Sequence, residues 1–388
     1  MSNRISTGLV AALILAAVAF AAGYATHSVA HPAPANLSLL EEARALLTAH
    51  YLRSLPDATA QQRGMIRGML GALNDPYTVY VEPAGHELET NTLAGEYGGI
   101  GAQLFRDTEG VVRIDPTPGG PAELAGVKEG DILLEVDGKP VEQFDDLEAI
   151  IAAVRGLAGS RVRLKLAPGS SVGQPLEVEI RRATIDLPSA SGYLLPEDET
   201  IGVIAVSVFS EKTPDEILTA YHDLAGRDAS AVVLDLRGNG GGLLDSAVSV
   251  AQLFMNPGLI VVERRKGSPE ERFSAPQPGE LADVPLAVLV DGGTASAAEV
   301  VAAALQQNGR APLVGMQTFG KGSVQVILPL SDGSSLHVTS AEWYAPNAGT
   351  LEGVGLAPDI QVEQTGDGKD APLSAARDWL KQHPGGLR

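Results

Sequence analysis

Leu286-Ala287-Val288-Leu289-Val290-Asp291-Gly292-Gly293-Thr294-Ala295-Ser296-Ala297-Ala298-Glu299, running on through the apolar Val300 to Leu305, sets the architecture of the chain. Five consecutive apolar residues without polar alternation fit a strand buried on both faces, as in a parallel sheet covered by helices. Asp291-Gly292-Gly293 ends that strand, and Ser296-x-x-Glu299 ahead of an apolar run is a helix-start signal. The stretch therefore predicts strand, turn and helix, with Ser296 at the helix N-terminus and at the carboxyl end of the sheet. Two readings of Ser296 stand side by side. As a capping box with Glu299 it needs no catalysis; as an exposed hydroxyl at the positive end of a helix dipole it is placed for nucleophilic attack.

The same construction recurs upstream. Val232-Val233-Leu234-Asp235-Leu236-Arg237-Gly238-Asn239-Gly240-Gly241-Gly242-Leu243 is a strand leading through glycines, either a tight turn needing positive φ or a loop presenting bare N–H groups to an oxyanion. Ile201 to Phe209 is a third apolar strand, and Thr213-Pro214-Asp215-Glu216 supplies an N-cap, a proline at the first helical position and a capping-box Glu. Glu263 to Glu280, polar and rich in Pro and Gly, reads as a surface loop, and Ala371 to Leu380 as a short helix.

A serine nucleophile needs a base. The seven His show no clear pairing with Asp around a sheet, and Lys321 in Phe319-Gly320-Lys321-Gly322-Ser323 is the other candidate. Enclosed by glycines and apolar residues, an amine loses solvation, which lowers its pKa and makes it a usable base; an isolated lysine is otherwise a surface residue. Gln325, four residues on, falls on the same face by strand periodicity, or else simply faces solvent.

Between Tyr97 and Ala183 short β-like runs (Val111 to Asp115, Asp131 to Asp137, Arg161 to Ala167, Leu176 to Arg181) alternate with helical patterns at Pro121 to Ala125 and Asp145 to Val154, a small α+β module. Gly98-Gly99-Ile100-Gly101, just before the strand Ala102 to Phe105, is either a plain loop or a nest of backbone N–H groups able to hold a carboxylate. Apolar residues at helical spacing from Leu39 to Leu73, broken at Leu55-Pro56-Asp57, predict a helical hairpin ended by Asn74-Asp75-Pro76. Ahead of it, Arg4 precedes an uninterrupted apolar stretch from Leu9 to Ala22, an export signal. It fits a cleaved peptide, with Ser28-Val29-Ala30 as the cleavage site, and equally an uncleaved membrane anchor.

Composition excludes several classes. The 388 residues carry 28 Lys+Arg against 48 Asp+Glu, a net charge of −20, so a basic footprint for nucleic acid is lacking. Zero cysteines exclude disulfides, Cys-ligated metals and thiol nucleophiles. Gly315-x-x-x-x-Gly320-Lys321 mimics a phosphate loop, but Gly322 replaces the Ser/Thr and a strand follows. Gly169-x-Ser171-x-Gly173 imitates a nucleophile elbow in a polar hairpin with no helix after it. No His-Glu-x-x-His cluster occurs, and no cofactor or metal is expected.

Gly98-Gly99-Ile100-Gly101, Gly120-Pro121-Ala122, Ala125-Gly126-Val127, Gly130-Asp131-Ile132-Leu133 and Val136-Asp137-Gly138 together resemble a PDZ domain of the protease-associated kind. With Thr294-Ala295-Ser296-Ala297-Ala298-Glu299 and Lys321 following 25 positions after Ser296, residues 37 to 360 resemble the carboxy-terminal processing, or tail-specific, proteases. That resemblance implies an α+β multidomain chain in which a PDZ domain is inserted beside an α/β core of crotonase/ClpP-like type. The expected divisions are a signal peptide or anchor with spacer over 1–35, a helical region over 36–95, the PDZ domain over 96–183, the protease core over 184–364 and a tail over 365–388. It implies Ser296 as nucleophile, Lys321 as general base and Gln325 as the residue orienting the lysine. Oxyanion donors would come from Gly241, Gly242 and the amide of Ala297, and Gly98, Gly99, Ile100 and Gly101 would bind substrate tails. Gly240 departs from the family, standing where a proline is common. The implied partners are protein or peptide substrates with accessible C-termini, a second copy through the N-terminal helices, and an activating adaptor, in a bacterial periplasm or cell envelope. The competing class is a PDZ scaffold with an inactive core; the joint retention of Ser296, Lys321 and Gln325 argues against it.

Overall fold

A computed structural model describes residues 37–169, 174–347, 349–365 and 368–386. The export signal and Ser171 of the elbow look-alike lie outside the described residues. The chain forms two compact units, one ending at Gly68 and the other beginning at Met69.

The first unit holds helix α1, Ser38–His50, and most of α2, Ala58–Gly71. They are separated at Pro56-Asp57, where Asp57 accepts the Ala60 amide at 2.7 Å and so caps the start of α2. Leu39, Leu40, Leu46 and Leu47 of α1 are exposed.

In the second unit α2 gives way to Asn74, held at φ 53°, the left-handed conformation that stops a helix. Asp75 then accepts the Tyr77 amide at 2.9 Å and the Thr78 hydroxyl at 2.6 Å, a local turn leading into strand β1, Val79–Val81. Helix α3, Pro83–Leu93, starts on a proline, and β2, Glu96–Gly99, follows.

The small module is an antiparallel sheet of β3 (Ala102–Arg106), β4 (Val112–Pro116), β5 (Asp131–Val136), β7 (Arg161–Ala167) and β8 (Leu176–Arg181) in that order, with the short β6 (Lys139–Pro140) beside β5. Helices α4 (Pro121–Leu124) and α5 (Leu147–Val154) accompany it. Val162, Leu164 and Leu166 alternate inward with Val178 and Ile180 opposite, and they join Ile114, Leu133 and Ile150 in a core of the module's own. Strand β9, Ala183–Asp186, returns antiparallel to β2.

The larger body is layered. Its first sheet runs β10 (Ala190–Leu195), β11 (Asp198–Val206), β12 (Ala231–Asp235), β15 (Leu286–Val290), β16 (Leu313–Gly315), β19 (Ile360–Gln361), parallel except for the edge strand β10. On β12 and β15 the period of two sends Val232, Leu234, Val288 and Val290 into one core, and Val233, Ala287 and Leu289 into another on the opposite face. The first core is covered by α6 (Thr213–Ala225), α7 (Leu244–Phe254) and α8 (Ala297–Gln307); the second by α9 (Ala371–Gln382). A second sheet packs beyond α7 and α8, built from β13 (Gly258–Arg265), β14 (Glu271–Ala275), β17 (Ser323–Pro329) and β18 (Ser335–Tyr344), with β1 on its edge. Helix α8 is apolar nearly all round because it lies between these layers.

Two expectations are corrected. Glu263 to Glu280 is not one surface loop, since β13 extends to Arg265 and β14 occupies Glu271–Ala275, paired across a shared cross-strand register. Glu216 is not a capping-box residue: its carboxylate accepts the amides of Ser189 and Ala190 and the Ser189 hydroxyl, which fastens α6 to the start of β10. The tail helix is structural, because Asp370 both caps it through the Leu373 amide at 3.0 Å and pairs with Arg237.

Candidate active site

Ser296 is the residue before α8, at φ 55° and ψ −121°, a strained conformation for a residue with a Cβ. What holds it there is Glu299. This carboxylate is fully buried and accepts four hydrogen bonds: Oε2 takes the amides of Ser296 and Lys321, both at 2.9 Å, and Oε1 takes the Gly320 amide at 2.8 Å and the Thr318 hydroxyl at 2.5 Å. Four donors on two oxygens fill the lone pairs of a carboxylate. The capping half of the sequence reading therefore holds, but the same side chain also ties the serine turn to the lysine loop.

The glycine loop after β12 is fixed against both. Asn239, with no exposed surface, donates from Nδ2 to Val206 O and accepts the Gly241 amide at 2.9 Å, while its own carbonyl accepts the Ala295 amide. Asp291 Oδ1 accepts the amides of Gly238 and Gly293, each at 2.9 Å. At Gly241, φ 113°, an added Cβ would lie 2.9 Å from the Ser296 Cβ, and at Gly242, φ 139°, 2.3 Å from Phe209 O, so only glycine lets this loop approach the serine turn. Of the expected oxyanion donors, Gly241 has its amide bonded to the Asn239 side chain. Gly242 and Ala297 line the cavity beside Ser296.

That cavity, about 300 Å³, brings Ser296, Lys321 and Gln325 together, with Leu243, Val300 and Trp343 among its apolar walls. Burial pushes the Lys321 amine below the ordinary lysine range, opposed by the charges of Glu352 and Glu89. Its Nζ lies 5.2 Å from the centroid of the Tyr77 ring. Gln325 reaches the cavity by a different route from the expected one. Lys321 precedes the strand, and β17 carries a bulge between Val324 and Gln325 that breaks simple alternation. The Gln325 amide donates to the Ser323 hydroxyl at 3.2 Å.

Sequence reasoning missed His337, which lines the same cavity with Nε2 3.0 Å from the Glu89 carboxylate. Its partner is a Glu far away in sequence, on α3, so no local pattern reveals the pair. Among the described residues no group of three His, Asp or Glu side chains could hold a metal ion.

In the small module a second cavity, about 250 Å³, runs between β3 and α5 and is lined by Gly99, Ile100, Leu104, Ile151, Val154 and Arg155, among others. The Arg155 guanidinium stacks over the Tyr97 ring at 4.6 Å. Gly99 and Ile100 of the glycine stretch line this groove. Gly98 is a strand residue pressed on the backbone of Gly156, where an added Cβ would sit 2.0 Å from the carbonyl oxygen. Its glycine is a packing requirement. Gly101, at φ 63°, makes the turn into β3.

Two family models match the chain, peptidase family S41 over residues 200–362 and a PDZ domain over 114–168. The carboxy-terminal-processing protease of Bartonella bacilliformis is 37% identical over 317 residues, covering 80% of this chain and 71% of that protein. The carboxy-terminal processing protease CtpA of Bacillus subtilis is 36% identical over 302 residues, 77% of this chain and 63% of the relative. A crystal structure from Bacteroides fragilis assigned to the S41 proteases shares the fold, with a TM-score of 0.50 at 17% identity over 85% of this chain and 92% of that one. The fold and the matches define a PDZ-containing serine peptidase, and the chain belongs to the carboxy-terminal processing proteases of peptidase family S41.

Proposed function

We propose that this chain is an exported serine endopeptidase that captures substrate tails in the β3–α5 groove and cleaves peptide bonds with Ser296 and Lys321. The observation that carries the reading is the joining of the serine turn and the lysine loop through one buried carboxylate, at a cavity that both residues line. Strand addition along β3 would satisfy the backbone of an extended peptide, and the apolar Leu104, Ile151 and Val154 suit an apolar terminal side chain.

Neutral Lys321 takes the Ser296 hydroxyl proton as Oγ bonds to the scissile carbonyl carbon, and the carbonyl π electrons move to oxygen. Gly242 and Ala297 amides, aided by the α8 dipole, receive that oxyanion. On collapse the C–N bond breaks and the Lys321 ammonium gives its proton to the leaving amine, leaving an acyl-enzyme. Water then repeats the sequence: Lys321 takes its proton, hydroxide oxygen bonds to the acyl carbon, and Ser296 leaves with the proton returned. Gln325 orients the amine. The envelope location rests on the Arg4 to Ala22 segment, and self-association on the exposed leucines of α1.

The test is mass spectrometry of an unfolded protein with an apolar C-terminus, incubated with the chain and with its Ser296→Ala variant. Cleavage by the first alone supports the assignment. Equal cleavage by both assigns the nucleophile elsewhere, and cleavage by neither favours the scaffold class.

A further inference from the structure

When Lys321 takes the proton of Ser296 it becomes an ammonium in a half-buried cavity, and that charge needs a counterpart. The burial that lowers the amine's proton affinity is a penalty on its protonated form. Facing Lys321 are four ionisable groups. Glu352 comes from the loop after β18, Glu89 and its neighbour His337 from α3 and β18, and Tyr77 from the turn between α2 and β1. Glu299 meets the lysine's backbone only.

Tyr77 and Glu352 form a unit. The Glu352 carboxylate accepts the Gly322 amide at 2.8 Å, burial and then the nearby Glu352 charge raise the Tyr77 hydroxyl above the ordinary tyrosine range, and the Tyr77 ring lies within cation–π reach of Lys321 Nζ. The unit is fixed from below. Asp75 accepts the Tyr77 amide and the Thr78 hydroxyl, the Thr78 oxygen accepts the Thr339 amide at 3.1 Å, and β1 pairs with β18 from Val79 onward. Gly322 matters for the same reason: an added Cβ there would lie 2.7 Å from the Glu352 amide nitrogen. The segment Asn74 to Thr78 thus does more than end a helix.

We infer that Tyr77 and Glu352 are positioning residues that make a cation site for the Lys321 ammonium, receiving it when the amine has taken the proton of Ser296. This rests on the Ser-Lys reading above. A charge and a ring face that favour the ammonium make the lysine a stronger base, at the cost of a higher pH for its neutral form. Removing them has a sign that mere disruption does not share: loss of the carboxylate lowers the proton affinity of Lys321, whereas opening the cavity to water raises it towards that of an ordinary lysine.

The experiment measures that affinity without relying on turnover. The full chain carrying Ser296→Ala is acetylated competitively across a pH series, and the modification at Lys321 is read by peptide mass spectrometry, alone and with Glu352→Gln, Tyr77→Phe or Glu352→Asp. Because Glu352 is exposed and water screens it, the expected fall of the Lys321 midpoint in Glu352→Gln is about half a pH unit. Tyr77→Phe, which keeps the ring face and the Glu352 charge, moves the midpoint less than Glu352→Gln does, and Glu352→Asp stays nearer the parent. In the Ser296-containing enzyme Glu352→Gln then loses several-fold in kcat on the alkaline plateau with little change in KM. A Lys321 midpoint that is unmoved, or that rises, overturns the inference. Cleavage by the Ser296→Ala chain itself would instead sink the nucleophile assignment, and the labelling midpoints would still decide the role of Glu352.

Discussion

Glu299 shows how one side chain couples two loops. In Glu299→Gln an amide NH2 would face backbone N–H donors that now find oxygen, leaving at least two buried donors unpaired. Denaturant unfolding should show a loss of about 2–4 kcal/mol, and turnover should fall further than stability alone accounts for, because whichever way the amide turns, the lysine loop loses an acceptor for Gly320 or for Lys321. The helix-start pattern identified Glu299 as a cap, which it is. Its bonds to Gly320 and Lys321 were not readable, since they join segments about 20 residues apart whose approach depends on the sheet order. Ser296 and Lys321 were readable because each sits in a local pattern, a strand-to-helix turn and a glycine-flanked amine.

At the scale of elements, the loop from β12 to α7 owes its shape to Asn239 as much as to its glycines. Asn239→Ala removes a buried acceptor from the Gly241 amide and a donor from Val206 O, and should cost about 2–3 kcal/mol in thermal or denaturant unfolding. The same side chain anchors the loop next to Gly240, the position where a proline is common in the family. The parallel strands were readable as unbroken apolar runs, and the module's strands as alternating ones. Strand β14 was not, because Glu271-Arg272-Phe273-Ser274-Ala275 is mostly exposed and polar, and only pairing with β13 makes it a strand. The bulge at Gln325 was likewise invisible to a period-two argument.

Across the whole molecule, Arg237 joins the end of β12 to the tail helix. It makes paired bonds to Asp235 and Asp370, which hold its proton more tightly than in a free arginine. Arg237→Ala should leave β12 folded but release α9, so amide hydrogen exchange over residues 371–382 should quicken while exchange in α8 stays slow. Unchanged exchange in α9 would mean that Leu373, Ala376 and Leu380 suffice to dock it. A peptide substrate amidated at its C-terminus should show a raised KM against the free acid, with kcat little altered; equal kinetics for both would remove the β3–α5 groove from recognition.

Lys321, and not His337, is the proposed base for Ser296. That assignment is tested most directly by the pH dependence of kcat/KM for an unfolded protein substrate, measured for the unmodified chain, Lys321→Arg and His337→Gln. A lysine works as a base only when neutral, so activity rises as pH passes upward through its pKa; burial lowers that pKa and places the rise below that of an ordinary lysine. The expected result is such a rise for the unmodified chain, the same profile for His337→Gln, and loss of about 10³-fold or more for Lys321→Arg, whose guanidinium stays protonated. Turnover by Lys321→Arg near the unmodified rate, or disappearance of the rise in His337→Gln, would contradict it.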